Sequence, residues 1–133
     1  MDIRTRQWVR RRAGDVCEYC HVPQAAVLTV TFHVEHTIAR QHGGGDDPRW
    51  LALACDRCNV YKGTNLTSID PLAGDVVFLY NPRTDVWEDH FRHEGAVIVG
   101  LTPSGRATVR LLKMNAPPRV QLRLHWLEEH GPL

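Results

Sequence analysis

Apolar and polar residues alternate most sharply in VLTVTFHVEH, residues 27–36, where β-branched and aromatic side chains recur with period two. The pattern predicts a strand or hairpin arm, with Val30, Phe32 and Val34 on one face and Thr31, His33 and Glu35 on the other. A polar, glycine-rich stretch, ARQHGGGDDPRW, reads as a loop. It leads into the apolar run Leu51 to Ala54 and then a short helix from Asp56 to Lys62, stopped at Gly63. Upstream, residues 4–13 read as a basic helix containing Trp8 and ended by Gly14.

The style changes after Asn65. Val76 to Tyr80 and Val97 to Leu101 predict apolar strands, with a turn at Asn81-Pro82. Thr102 is a candidate N-cap with Pro103 at the first helical position, opening a helix through about Met114. Pro117-Pro118 stops it and starts a last helix bearing Leu122, Leu124, Trp126 and Leu127. The expected class is α+β, with a motif in residues 1–70 and a C-terminal strand/helix extension in 71–133 packed on it as one compact domain.

Composition narrows the class more than the function. With 133 residues, 43% hydrophobic and 23% charged, the chain has the make-up of one globular domain, which excludes full disorder and a fibrous fold. No run approaches the ~18 apolar residues of a membrane span, so no membrane partner is expected. The basic start MDIRTRQWVRRR has no apolar region behind it, so a cytoplasmic location without a secretory signal is the expectation. A net charge of +1 is far from that of a strongly basic nucleic-acid binder. Of the sixteen cations only Lys62 and Lys113 are lysine, and the arginine fork suits phosphate and carboxylate partners. GC-rich coding produces the same bias. Arg4, Arg6, Arg10, Arg11 and Arg12 face only Asp2 in the first dozen residues, a local basic patch.

The cysteines add chemistry. They fall as Cys17-Glu-Tyr-Cys20 and Cys55-Asp-Arg-Cys58. A two-residue gap lets both thiolates of a pair turn toward one tetrahedral ion, the arrangement of a structural four-cysteine zinc site. Such a site is coordinatively closed and braces the fold. Redox-active pairs or buried metal-free thiols are the alternatives, although nothing near either pair resembles a thioredoxin unit.

Between the pairs stand His33, Glu35, His36 and His42, and Asn59 directly follows the second pair. A Glu beside a His offers a hard oxygen ligand next to an imidazole that takes a proton near neutral pH. Glu35 and Asn59 as oxygen ligands suit Mg2+ or Mn2+, completed by phosphate oxygens. A metal on a scissile phosphate, with a His activating water, makes a phosphodiester hydrolase. A small zinc module without activity stays open at this point.

Cys17-x-x-Cys20, Val34-Glu35-His36-Thr37-Ile38, Gly43-Gly44 and Leu51-Ala52-Leu53-Ala54-Cys55-x-x-Cys58-Asn59-x-x-Lys62-Gly63 together resemble the HNH endonuclease family, in its branch with a ββα-metal motif braced by zinc on four cysteines. Leu79-Tyr80-Asn81-Pro82-Arg83, Trp87, His90-Phe91, Gly100-Leu101-Thr102, Gly105-Arg106-Ala107-Thr108 and Met114-Asn115 resemble the C-terminal extension of small stand-alone bacterial HNH proteins. The resemblance implies an endonuclease acting on DNA through phosphate contacts, with Zn2+ structural on Cys17, Cys20, Cys55 and Cys58. It makes His36 the general base and Glu35 and Asn59 the ligands of a catalytic Mg2+ or Mn2+. It also sets Lys62 near a phosphate at the cut, with Arg57 and Arg40 as further backbone contacts.

Two features depart from the family pattern. Trp50 stands where the signature carries an Asn just before the apolar run. Glu35 and His36 are adjacent, so a regular strand points them to opposite faces unless it ends or bulges there; His33, on the Glu35 face, and His42 are alternative ligands. The rival to a nuclease is the same zinc-braced fold without catalysis, binding nucleic acid or protein.

Overall fold

The computed structural model describes residues 1–133 and divides them into two compact units, residues 1–64 with 81–84 and residues 65–80 with 85–133. The chain is mixed α+β. None of its helices is long and apolar enough to cross a membrane.

The first unit opens with helix α1, Ile3–Ala13. Asp2 caps its N-terminus by accepting the Thr5 N–H at 2.8 Å, and Gly14 ends it at φ 64°, a left-handed turn that glycine adopts without strain. Only Val9 of this helix is buried. Strand β1, His33–His36, pairs antiparallel with β2, Leu51–Ala54, in the register His33↔Ala54 to His36↔Leu51. All four β2 residues are buried, as an uninterrupted apolar run requires. Helix α2, Asp56–Lys62, follows and completes a ββα order.

The first cysteine pair sits on a tight turn closed by Cys17 N–H to the Val22 carbonyl and His21 N–H to the Cys17 carbonyl. Glu18 in that turn docks on β2 like a short strand. Its N–H donates to the Leu53 carbonyl at 2.9 Å and its carboxylate accepts the Leu53 N–H at 2.8 Å. Arg83 then pairs with the same carboxylate.

The expected strand at 27–36 is realised only over its last four residues. Residues 24–26 form a 3-10 turn, and the Gln24 side chain replaces a partner strand for the segment after it. Its amide donates to the Val27 and Val30 carbonyls and accepts the Phe32 N–H, while Arg10 takes the Phe32 carbonyl at 2.6 Å. Side chain-to-backbone bonds have thus won over ladder formation. The face assignment changes with it: Phe32 is buried but Val30 is exposed, and Glu35 is buried while His33 is exposed.

In the second unit β3, Thr67–Ile69, pairs with β4, Val76–Phe78. Helix α3, Trp87–His90, precedes the hairpin β5, Phe91–Glu94, and β6, Val97–Gly100. Helix α4, Pro103–Leu111, is capped by the Thr102 hydroxyl on the Gly105 N–H at 3.0 Å. It ends before Met114, because Lys113 lies at φ 50°. Helix α5, Pro117–His130, buries Arg119 and Arg123 rather than its leucines. Arg123 donates to the Ala96 carbonyl at 2.7 Å and the Met114 carbonyl at 2.6 Å, satisfying main-chain groups that the short elements leave over. Strands β3 and β5 lie in segments whose polar make-up hid them from a pattern reading.

Candidate metal centre and catalytic cleft

The four cysteine sulfurs converge. All four residues are buried, none is in a disulfide, and their Sγ atoms lie within 4.8 Å of one another. Cys20 Sγ and Cys55 Sγ are 3.7 Å apart, close to the ~3.8 Å edge of a tetrahedron with ~2.3 Å metal–sulfur bonds. Cys55 is also the N-cap of α2 and accepts the Cys58 N–H at 3.4 Å, so the helix start and the second pair are one construction. Burial pushes the Cys17 and Cys58 thiols well above their ordinary pKa, so ionising them needs a local positive charge of the kind a bound cation supplies. The residues present fit a structural metal ion held by four thiolates.

One side of the ββα unit carries an open cleft of about 400 Å³, lined by His33, Glu35, His36, Arg40 and Asn59 among others. Strand β1 supplies the first three, the turn after it Arg40, and the second turn of α2 Asn59. Both neighbours on β1, Glu35 and His36, line this cleft, one buried and one half-buried, at the end of the strand.

Glu35 is 7% exposed and sits among polar partners. The Tyr19 hydroxyl donates to its Oε1, and Lys62 Nζ stands 3.7 Å from its Oε2 and 3.5 Å from the His36 carbonyl. Burial raises the Glu35 carboxyl above its usual range, against the opposing pull of Lys62 and Tyr19. Tyr19, between the first two cysteines, is pushed up by burial and by the Glu35 charge. Lys62 is itself only 3% exposed, its ammonium directed inward onto Glu35. Arg57 and Arg40 are exposed; Arg57 lies near Asp56 and Arg40 binds Asp46 through two contacts of 2.7 and 2.9 Å. His33 is exposed in the cleft, and His42 is exposed on the loop outside its lining.

The loop from Thr37 to Trp50 contributes a group that pattern reading missed. His36 Nε2 is 2.7 Å from Asp46 Oδ1. The hydrogen bond with His36 and the Arg40 charge hold the Asp46 carboxyl down at about 2. Loop closure depends on Gly44, where a Cβ would fall 1.6 Å from the Ile38 carbonyl oxygen. Trp50, in the place of the expected Asn, ties the loop through its backbone: its carbonyl accepts the Thr37 N–H at 2.8 Å and the Thr37 hydroxyl at 3.0 Å. A main-chain tie does not depend on an Asn side chain at 50. Asp46 and Tyr19 had only weak sequence signals, an acidic pair ten residues after His36 and an aromatic inside a CxxC.

A carboxylate oxygen and an amide oxygen opening on one cleft, beside imidazole, are donors suited to a hard divalent cation that keeps several waters. Glu35 retains acceptor capacity beyond the Tyr19 and Lys62 contacts, because an ionised carboxylate offers about four lone-pair sites. No curated protein and no solved structure matches the chain. Residues 17–65, which hold the two cysteine pairs, β1, the loop, β2 and α2, match the family model described as HNH endonuclease. The match makes this segment, though not the rest of the chain, similar to an HNH endonuclease domain.

Proposed function

We propose that the chain is a metal-dependent endonuclease that hydrolyses phosphodiester bonds in DNA. The observation that carries the reading is His36, oriented by Asp46 at 2.7 Å, on a cleft shared with Glu35 and Asn59. Asp46 fixes the imidazole with Nε2 toward the carboxylate, which leaves Nδ1 to take the proton from water. Glu35 and Asn59 would hold Mg2+ or Mn2+, which when bound neutralises charge on the phosphate. Tyr19 and Lys62 keep the Glu35 carboxylate in one orientation, and the four cysteines, which would hold zinc, flank Tyr19 and the start of α2. The test is conversion of supercoiled plasmid to nicked and linear forms with Mg2+ or Mn2+. Replacement His36→Ala is expected to lower the rate by ~10²–10⁴-fold while leaving DNA affinity in place. Cleavage unchanged in that variant overturns the assignment of the base.

The engagement of Glu35 by both Tyr19 and Lys62 favours a second reading, a zinc-braced binding module in which that carboxylate is structural. Absence of cleavage by folded, zinc-loaded wild-type protein selects it.

A further inference from the structure

Helix α1 has no part in the cleft, yet its outer face is built from one kind of chemistry. Arg4, Gln7, Trp8 and Arg11 follow each other at i, i+3, i+4 and i+7, which puts them on one stripe of the helix. All four are exposed, with Trp8 at 46%. Off this stripe, Arg6 is exposed, whereas two arginines are consumed by the fold: Arg10 holds the Phe32 carbonyl, and Arg12 holds the Pro48 and Leu51 carbonyls at 2.9 and 2.7 Å. Arg4 and Arg11 have no hydrogen-bond or ion-pair partner, and the carboxylate of Asp2 is spent on the N-cap. Trp8 is no loose surface ring, because the anchored Arg12 guanidinium lies over it at 5.6 Å. The helix packs on β1, β2 and the Pro48–Trp50 turn, part of the same loop that brings Asp46 to His36.

We infer that this stripe is the grip for an unpaired stretch of nucleic acid, with Arg4 and Arg11 on phosphates and Trp8 stacked on a base. Two unpartnered guanidinium groups about 10 Å apart along the helix flank a fixed aromatic face. This combination follows a single strand without reading its sequence. It supplies locally what the net charge of +1 does not supply globally. The inference rests on the nucleic-acid reading above and adds where, and in which form, the strand is held.

The test is fluorescence anisotropy of a labelled oligothymidylate and of a duplex with full-length, zinc-loaded protein carrying His36→Ala, across a range of salt. In that background Arg4→Gln with Arg11→Gln is expected to flatten the slope of log affinity against log salt by about 1.4, or 0.7 for each lost phosphate contact. Trp8→Leu is expected to weaken oligothymidylate binding roughly five- to hundredfold. Arg92→Gln, at an exposed position of β5, removes a charge elsewhere and leaves both quantities unchanged. Unaltered slope and affinity in the α1 variants, duplex bound as tightly as single strand with no Trp8 effect, or no binding at low salt each overturn the inference. Plasmid cleavage by the wild-type chain separates the two readings. Binding through α1 without cleavage removes the hydrolase alone, and cleavage with α1 variants that bind like their parent removes the grip alone.

Discussion

The chain contains the order strand, strand, helix three times, and the first and last copies solve the same packing problem differently. In the first unit β1 and β2 are joined by the long loop 37–50, and the helix that follows is fastened by Cys55 and Cys58. In the second, β5 and β6 are joined by Gly95-Ala96 alone, with Gly95 at φ 59°, and α4 packs directly on β6. The second is packed from its own side chains. Tyr80, Trp87, Phe91 and His93 form a ring cluster, and Asp70 takes a bidentate contact from Arg106 at 2.9 and 2.8 Å. A tight hairpin leaves no room for chemistry between its strands. A long loop does, and here short local turns, the close approach at Gly44 and the tie from Thr37 to the Trp50 carbonyl hold it. Here the candidate functional groups sit beside the long loop rather than beside the tight hairpin.

Removing the metal breaks the comparison most severely. A four-thiolate zinc site carries about 10–16 kcal/mol of folding free energy, so chelation or Cys58→Ala is expected to abolish amide-exchange protection in residues 1–64. Protection in β5, β6 and α4 is expected to persist, and equal loss in both units contradicts their separate means of support. Next comes the buried pair: Lys62→Met leaves Glu35 uncompensated and is expected to cost about 3–5 kcal/mol in urea unfolding. A variant as stable as wild type but weaker on DNA would return Lys62 to the phosphate role suggested by the family resemblance.

Acid acts on the second unit through Asp70. Its carboxyl, held at about 2 by the hydrogen bonds from Arg106, lies below the ordinary 3.8 of the unfolded chain. The pair's contribution is therefore complete above about pH 4 and is lost as pH falls toward 2. Asp70→Asn is expected to flatten that part of the stability profile in acid titration followed by circular dichroism. The smallest effect belongs to the turn. Gly95→Ala places a Cβ at positive φ with nothing else in reach and is expected to cost about 1–2 kcal/mol of thermal stability.

Much of this was legible beforehand. The cysteine spacing, the apolar run at 51–54, the Asp56–Lys62 helix and the caps at Gly14 and Thr102 are local signals, and the structure realises each of them. Residues 27–32 misled because alternation records only the side chains, whereas Gln24 had already claimed the backbone. The last helix misled because Arg119 and Arg123 look like surface residues until the carbonyls they satisfy are known. In the cleft, Glu35, His36 and Asn59 could be picked out as residue types suited to a metal and a proton. Asp46 could not, since a carboxylate in a glycine-rich loop reads as solvated.

The sequence by itself determined the inventory: two thiol pairs at metal-binding spacing, a carboxylate beside an imidazole, and short elements with their start and stop signals. These depend on neighbours within a few residues, where chain geometry leaves little choice. The tertiary structure alone decided the partnerships. It turned Lys62 inward to Glu35, brought Asp46 across ten residues to His36, and let a Trp50 carbonyl tie the loop. It also consumed Arg10 and Arg12 while leaving Arg4 and Arg11 free. Burial makes an unpaired polar group costly, so groups such as Glu35 and Arg123 take partners the fold brings within reach, however far away in the chain.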